Sequence, residues 1–360
     1  MNTVKNLIRK LYVFLAYYLK FPLVEKLPLG EARSTLNWPS APPKFNQETI
    51  YQPKFDLMII VPVYNSAHFI DDCIQSLLDQ KTKYSYHIIF VDDGSADQSS
   101  EILDSYSHLD KVTVFHQSNS GIAGARNRGL QHIIGRYVMF VDSDDLLADN
   151  AVELLMTAAV KESADIIQGA YKEFSNDKDV DIYTHLKDDT PVAVNGFPWG
   201  KLISSEKMLN LCFPTGYAYE DTIISTLLIP NCSTICTISD IIYFYRQSPE
   251  SITKKLYTRK ESIDTLFLTY YCFNEASKRG YAFSLDDLLK QFRLNWIRTQ
   301  NMPKNTRKAI FVIESNLLSR LFPKKGATQD KSLTEIEKLF RLRRFEAFEW
   351  LMNHWWIFYS

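Results

Sequence analysis

RYVMFVDSDD, residues 136–145, decides the fold. An almost continuous apolar run stops abruptly at Asp142, Ser143, Asp144 and Asp145, the pattern of a strand buried on both faces that emerges at a polar rim. Working outward, the same design recurs in LMIIVPVYN (57–65), HIIFVDDGS (87–95) and VTVFHQ (112–117). Between these runs, apolar residues fall at helical spacing: Phe69, Cys73, Ile74, Leu77 and Leu78, then Ile102, Leu103 and Tyr106, then Ile122, Ala125, Leu130, Ile133 and Ile134. Strand, helix and strand at these lengths predict right-handed βαβ units and a mostly parallel sheet. AVELLMTAAVKES (151–163) continues as a helix and DIIQGAYKEF (165–174) as a strand. The pattern is then less regular to about Tyr257, and the sheet is predicted to be mixed there.

The flanks differ from this α/β body. KNLIRKLYVFLAYYLKFPLVEKL (5–27) mixes Lys5, Arg9, Lys10 and Lys20 with aliphatic and aromatic residues, and its apolar run ends at Pro22. That is too short to span a bilayer core of about 30 Å. It suits a helix that either lies on an anionic membrane surface or packs on the body. NWPSAPPKFNQETIYQP (37–53) has four prolines and no helical period, so it reads as a linker or strap. From Arg259 onward Pro and Gly are sparse, and ESIDTLFLTYYCFNEASKRG (261–280) and SLTEIEKLFRLRRFEAFEWLMNHWWIF (332–358) read as helices. The basic, aromatic end, with Trp350, Trp355, Trp356, Phe358 and Tyr359, meets a membrane, another subunit or the body itself. The predicted organisation is an N-terminal helical segment and linker (1–53), an α/β domain (54–257) and a mainly helical C-terminal region (258–360).

At 46% hydrophobic residues, the 360-residue chain has enough apolar material for a large core, which excludes a disordered chain. Its 41 Lys and Arg nearly cancel 42 Asp and Glu, so no global basic field draws nucleic acid, and charge-driven binding must be local. The five cysteines, Cys73, Cys212, Cys232, Cys236 and Cys272, are odd in number, and the start lacks a secretory signal pattern, so a reducing, cytoplasmic location is expected. Cys232 and Cys236 have no second pair or nearby His to complete a zinc set and read as small hydrophobes.

In open α/β sheets ligands bind beyond the carboxyl ends of the strands. Those ends carry Pro62, Tyr64 and Asn65, then Asp92, Asp93, Gly94 and Ser95, then Asp142, Ser143, Asp144 and Asp145. So many carboxylates on one rim repel unless a cation compensates, and Asp142 and Asp144 suit magnesium or manganese with phosphate oxygens completing the shell. The segment SNSGIAGARNRG (118–129) starts a helix with Arg126 on its first turns, where backbone N–H groups and a guanidinium complement a diphosphate or ribose.

VPVYN, VDDGS followed by Asp97, SGIAGARNRG and VDSDD, in this order and spacing, resemble the family 2 glycosyltransferases of the GT-A fold, which build bacterial surface polysaccharides. PWGKLIS (198–204), YEDT (219–222) and YFYRQSPESIT (243–253) are similar to that family's later motifs. The resemblance implies a GT-A nucleotide-diphospho-sugar transferase fold, with a mixed, mostly parallel sheet between helices. It implies that Pro62 and Tyr64 flank the base of a UDP-sugar, that Asp93 bonds the uracil with Ser95 nearby, and that Arg126 approaches the nucleotide. Asp142 would hold ribose or sugar and, with Asp144, the Mn2+ or Mg2+ bridging the phosphates. Asp221 would be the general base and Glu220 would position acceptor or sugar. Lys201, Tyr245, Arg246 and Ser251 would be further contacts to donor phosphates or acceptor.

Loss of a nucleoside diphosphate builds negative charge on phosphate, which a metal offsets without a proton donor, so one carboxylate suffices as base and inversion follows. Glycoside hydrolysis, by contrast, needs two. The expected activity is inverting, metal-dependent hexosyl transfer to a hydroxyl of a glycan or lipid-linked oligosaccharide in capsule, exopolysaccharide or wall-polymer assembly. The enzyme would be cytoplasmic or peripheral on the inner face of the membrane, and would bind no nucleic acid. A haloacid-dehalogenase-like phosphatase is the enzyme alternative, but Leu146 stands where that motif wants a hydroxyl or Val. A calcium loop counted from Asp142 reaches Glu153 but has Leu146 and Leu147 at the fifth and sixth positions. A catalytically silent nucleotide-sugar-binding scaffold is the other alternative, against which Asp144 and Asp221 both stand.

Overall fold

The computed structural model describes residues 24–174, 186–187, 190–191, 194–247, 260–326, 328 and 330–354. The chain divides into two compact units, Pro43–Ser251 and Met1–Pro42 together with Ile252–Ser360. Helix α1 (Leu29–Thr35) belongs to the second unit.

In the first unit β1 (Ile50–Val63), α2 (Ile70–Leu78), β2 (Tyr86–Asp92), α3 (Ser99–Tyr106), β3 (Val112–His116), α4 (Gly121–Leu130) and β4 (His132–Phe140) alternate as strand and helix. They are followed by β5 (Leu146–Leu147), α5 (Ala151–Glu162), β6 (Ile166–Phe174), short β7 (Leu186–Lys187) and β8 (Thr190–Pro191), β9 (Lys201–Ser204), α6 (Ser205–Met208) and β10 (Ile235–Arg246). One eight-stranded sheet runs in the order β3-β2-β1-β4-β9-β6-β10-β5. Its first four strands are parallel, as are β6 and β10, while β9 and β5 run antiparallel to their neighbours. This is the mixed, mostly parallel sheet expected from the residue pattern. Leu57, Met58, Ile59, Ile60 and Val61 are all fully buried, because helices cover both faces of β1.

β1 is longer than its apolar run. Ile50 and Tyr51, within the proline-rich stretch, pair with His132 and Ile133, and the register shifts before Phe55, across the segment where Pro53 lacks a donor. That stretch is therefore partly strand, and the first unit begins at Pro43 rather than near residue 53. At the other end β4 leaves the ladder where Phe140 meets Ile60, whereas β1 continues beside β2 to the Val63–Asp92 pair. The chain order reverses at this point, between β1 and β4, which is where open α/β sheets bind their ligands. α4 lies close over β1: a Cβ on Gly129 would sit 2.6 Å from the Ile60 side chain, so only Gly lets the helix approach.

The second unit contains α1 with α7 (Asp264–Arg279), α8 (Leu285–Thr299), α9 (Lys304–Leu321), α10 (Lys331–Arg341) and α11 (Phe345–Asn353). A capping box opens α8, with Ser284 and Asp287 exchanging side-chain-to-backbone bonds. The long pattern at 332–358 is two helices rather than one within its described part. Arg343 turns at φ 52°, which brings Phe340 and Phe348 together at 4.8 Å and both rings onto Phe311. Glu25 pairs with Lys308, so the described residues from Val24 join these helices. The helix expected before Pro22, Ser251, and the aromatic residues from Trp355 to Tyr359 lie outside the described residues. Among the described residues no helix is long and apolar enough to cross a membrane. All five cysteines are free.

Candidate active site

The ends of β1 and β2 are tied by a reciprocal pair. Asn65, at φ 49°, donates its N–H to Ser95 Oγ (3.0 Å) and accepts from the Ala96 N–H through Oδ1 (2.8 Å). Ser95 thus acts as a tie between loops. Tyr64 is 52% exposed, with its ring free to stack, but Pro62 is buried inside β1. Its missing N–H faces the side where β4 has already departed, so proline costs the sheet nothing there, and the ring is not presented to a base.

Asp93 is buried and held by one oxygen: Oδ1 accepts from Gln117 Nε2 (2.7 Å), Ser120 N (2.9 Å) and Ser120 Oγ (3.0 Å). The other oxygen takes no hydrogen bond from the described residues. Asp92 beside it accepts from Ser95 N, Ser100 Oγ and His116 Nδ1. Burial pushes its pKa up, but these hydrogen bonds outweigh burial and hold it below the usual carboxylate value. Gln117, Ser120 and His116 carried no signal of such a role in the sequence beyond their nearness to the SNSG helix start.

α4 connects the other motifs. Arg126, buried, donates from Nη1 to Glu220 Oε1 (2.6 Å) and from Nη2 to Asp142 Oδ1 (3.0 Å), and lies 5.4 Å over the Phe213 ring. One residue on, the Asn127 side chain exchanges two 2.8 Å bonds with the Phe213 backbone. Arg126 was expected at the nucleotide. It is instead committed to two carboxylates and works as a positioning residue, bringing the VDSDD and YEDT motifs to one place. Arg126→Ala should therefore destabilise the fold by about 3 kcal/mol, because two half-buried carboxylates lose the buried cation they share. Arg126→Lys should recover only part of this, as a single nitrogen cannot stand where both Nη1 and Nη2 do. Urea unfolding measures the difference.

The Asp-rich loop is braced from beneath. Ser143 Oγ meets Ser66 Oγ at 2.6 Å, and Tyr243 OH donates to Asp145 Oδ2 (2.7 Å) while accepting from Asp142 N (3.1 Å). Arg246 was expected near donor phosphates. Its N–H reaches Asp145 Oδ1 and its Nε the Asp144 carbonyl, both at 2.7 Å, and its guanidinium stacks over Phe69 and Phe174. It supports the loop. Burial, and then the charges of Asp144 and Asp142, push Asp145 well above the carboxylate range. Asp144 accepts no hydrogen bond at its carboxylate from another described residue, and burial together with Asp142 pushes its pKa up to about 6. A half-buried carboxylate that takes no hydrogen bond from another described residue, beside a second carboxylate, fits a hard divalent cation. Among the described residues no three His, Cys, Asp or Glu side chains gather to hold a metal. Asp142 and Asp144 would therefore share such an ion with substrate oxygens and water, as suits magnesium or manganese.

Glu220 and Asp221 follow Tyr219, which sits at φ 62°, an unusual conformation for an aromatic residue and a strained one. Thr222 N bonds Tyr219 O and Ile224 N bonds Asp221 O, a tight turn that leads into a wide helical turn at Ile224–Leu228. This turn presents Glu220 to Arg126, and nothing in the sequence foretold it. Burial pushes the Glu220 pKa up against the pull of Arg126.

Lys201 was expected at donor phosphates or acceptor and is instead wholly buried. Its ammonium donates to Asn195 O and Oδ1, both at 2.8 Å, and to Phe197 O, pinning the loop before β9. Burial pulls its pKa down to about 7 against the pull of Asp221. Three acceptors require three protons, so this geometry holds the charged form. Trp199 of the same motif stacks on Phe197, Tyr243 and Tyr245, linking that loop to the tyrosine beneath Asp142.

A mostly parallel sheet whose strand ends carry carboxylates, with a helix whose arginine joins two acidic loops, is an α/β fold of the GT-A type. Residues 58–219 match the family described as Glycosyl transferase family 2. The chain is 30% identical over 221 residues to glycosyltransferase GlyG of Streptococcus pneumoniae serotype 4, covering 55% of this chain and 73% of that protein. It is 28% identical over 311 residues to the uncharacterized glycosyltransferase EpsJ of Bacillus subtilis, covering 78% and 90%. Its match to glycosyltransferase GlyA of the same Streptococcus, 29% identical over 219 residues, covers 55% of this chain and only 31% of that longer protein. In fold it resembles TarS 1–349 of Staphylococcus aureus, solved with UDP-GlcNAc, at a TM-score of 0.63 and 16% identity over 83% of this chain and 91% of that one. The chain belongs to the family 2 glycosyltransferases. The phosphatase and calcium-loop readings of the Asp-rich loop end there.

Proposed function

We propose that this glycosyltransferase moves a hexose from a UDP-sugar to a hydroxyl of a glycan or lipid-linked oligosaccharide, with inversion and with Mn2+ or Mg2+, in the assembly of a bacterial surface polysaccharide. The observation that supports this reading is the Arg126 fork, which joins Asp142 to Glu220, the chain neighbour of the candidate base Asp221, and so ties the VDSDD and YEDT loops together. The UDP donor is suggested by the fold neighbour solved with UDP-GlcNAc. The free oxygen of Asp93 suits the imide N–H of uracil, and Tyr64 offers a face for the ring. When bound, the metal would offset charge on the departing diphosphate. Asp221 takes the proton from the acceptor hydroxyl as its oxygen attacks the anomeric carbon from the side opposite the diphosphate. Glu220, fixed by Arg126, orients acceptor or sugar. The enzyme would work at the cytoplasmic side, where nucleotide sugars are made.

The test is a hydrolysis screen of UDP-glucose, UDP-galactose, their N-acetyl forms and GDP-mannose, with manganese or with chelator. Release of UDP from one UDP-sugar, lost on chelation, is expected. Tight UDP binding with no turnover on any donor or acceptor would favour the silent scaffold, and release of GDP alone would overturn the donor assignment.

A further inference from the structure

The near-neutral total conceals a segregation of charge. The unit made of residues 1–42 and 252–360 carries 26 Lys and Arg against 13 Asp and Glu, whereas residues 43–251 carry 15 against 29. Much of the cationic charge in the described helices is spent locally: Lys304, Arg307 and Lys308 pair with Glu346, Glu349 and Glu25. One cluster is not. Arg33 and Arg320 lie 5.7 and 5.1 Å over the Tyr270 ring, and Arg33 Nη2 donates to the Tyr270 hydroxyl (3.0 Å). No described carboxylate pairs with either, and the buried Arg33 Nε has no partner. Lys324 and Lys325, exposed and without an ion pair, follow just past the end of α9, and Arg341 fixes the Lys324 carbonyl (2.8 Å).

Two guanidinium groups lie over one tyrosine and no described carboxylate pairs with either, so an added anion is attracted there. We propose that the helical unit docks on an anionic lipid surface through Arg33, Arg320, Lys324 and Lys325. Lipid is favoured over nucleic acid by the sequence of the same unit. Residues 1–23 and 252–259 add seven cations and no acid, and in 1–23 the cations alternate with Tyr, Phe and Leu, which partition into a bilayer interface. Docking does not depend on the donor or on turnover.

The test is flotation of the full chain with vesicles. Binding is expected to phosphatidylcholine vesicles containing roughly one third phosphatidylglycerol, and not to phosphatidylcholine alone. It should be lost between about 0.1 M and 0.5 M salt as screening shortens. The triple variant Arg320→Gln, Lys324→Gln, Lys325→Gln should partition on the order of a hundredfold more weakly, at about fivefold per charge, with an unchanged melting temperature. Lys161→Gln, on the acidic unit, should partition as the parent does. Equal binding to neutral vesicles, an unaffected triple variant, or a Lys161→Gln loss of the same size would overturn docking at this cluster. Release by inorganic pyrophosphate at constant ionic strength would reveal a discrete phosphate pocket instead, and stronger retention on duplex DNA a nucleic-acid surface. Either result would also overturn it.

Discussion

Asp221→Asn yields a protein that binds UDP and metal as the parent does and transfers sugar about 10²–10⁴-fold more slowly, the usual worth of a general base. Asparagine keeps the shape and cannot accept the hydroxyl proton. The turn that presents it is made by backbone bonds, Thr222 N to Tyr219 O and Ile224 N to Asp221 O, which the substitution leaves in place. The Arg126 fork grips Glu220 and Asp142, not Asp221, so the donor side keeps its geometry. Calorimetry with UDP separates binding from turnover. Weakened nucleotide affinity, or turnover near the parental rate, would move the base elsewhere.

Asp144→Asn has effects of opposite sign on stability and activity. The carboxyl titrates at about 6 in the folded protein against a reference of 3.8, so the folded state holds its proton more tightly than the unfolded chain. Stability therefore falls as pH rises from about 4 to about 6 and stays lower above, by about 2–3 kcal/mol at a little over 1.3 kcal/mol per pKa unit. Asparagine carries no charge and removes that cost. The metal-free variant should melt higher than the parent at pH 7.5 and alike near pH 4. Transfer and manganese-dependent UDP affinity should both collapse, since one of the two carboxylates that would share the cation is gone. A variant that melts lower than the parent at pH 7.5 would show that Asp144 has a structural partner.

These two variants separate what was legible in residues 57–145 from what was not. The buried strands could be read because a parallel strand covered on both faces must be apolar at every position, and the point where polarity begins marks the rim. Asp93, Asp142 and Asp144 do stand at that rim. Three other expectations erred in one way. Pro62, Lys201 and Arg246 were read as facing a ligand, and each is turned into the protein, to a strand edge, a carbonyl nest and the underside of the aspartate loop. Tyr219, Gln117 and His116 were missed because their roles depend on φ or on neighbours from another strand.

Local pattern determined the α/β body, the order of its motifs and the family, since burial on both faces and glycine at close approaches are demands met within a few residues. Tertiary structure alone decided which charges serve substrate and which serve the fold. A guanidinium or ammonium satisfies whichever acceptor lies nearest in space, and for Arg126 that acceptor, Glu220, is 94 residues away along the chain.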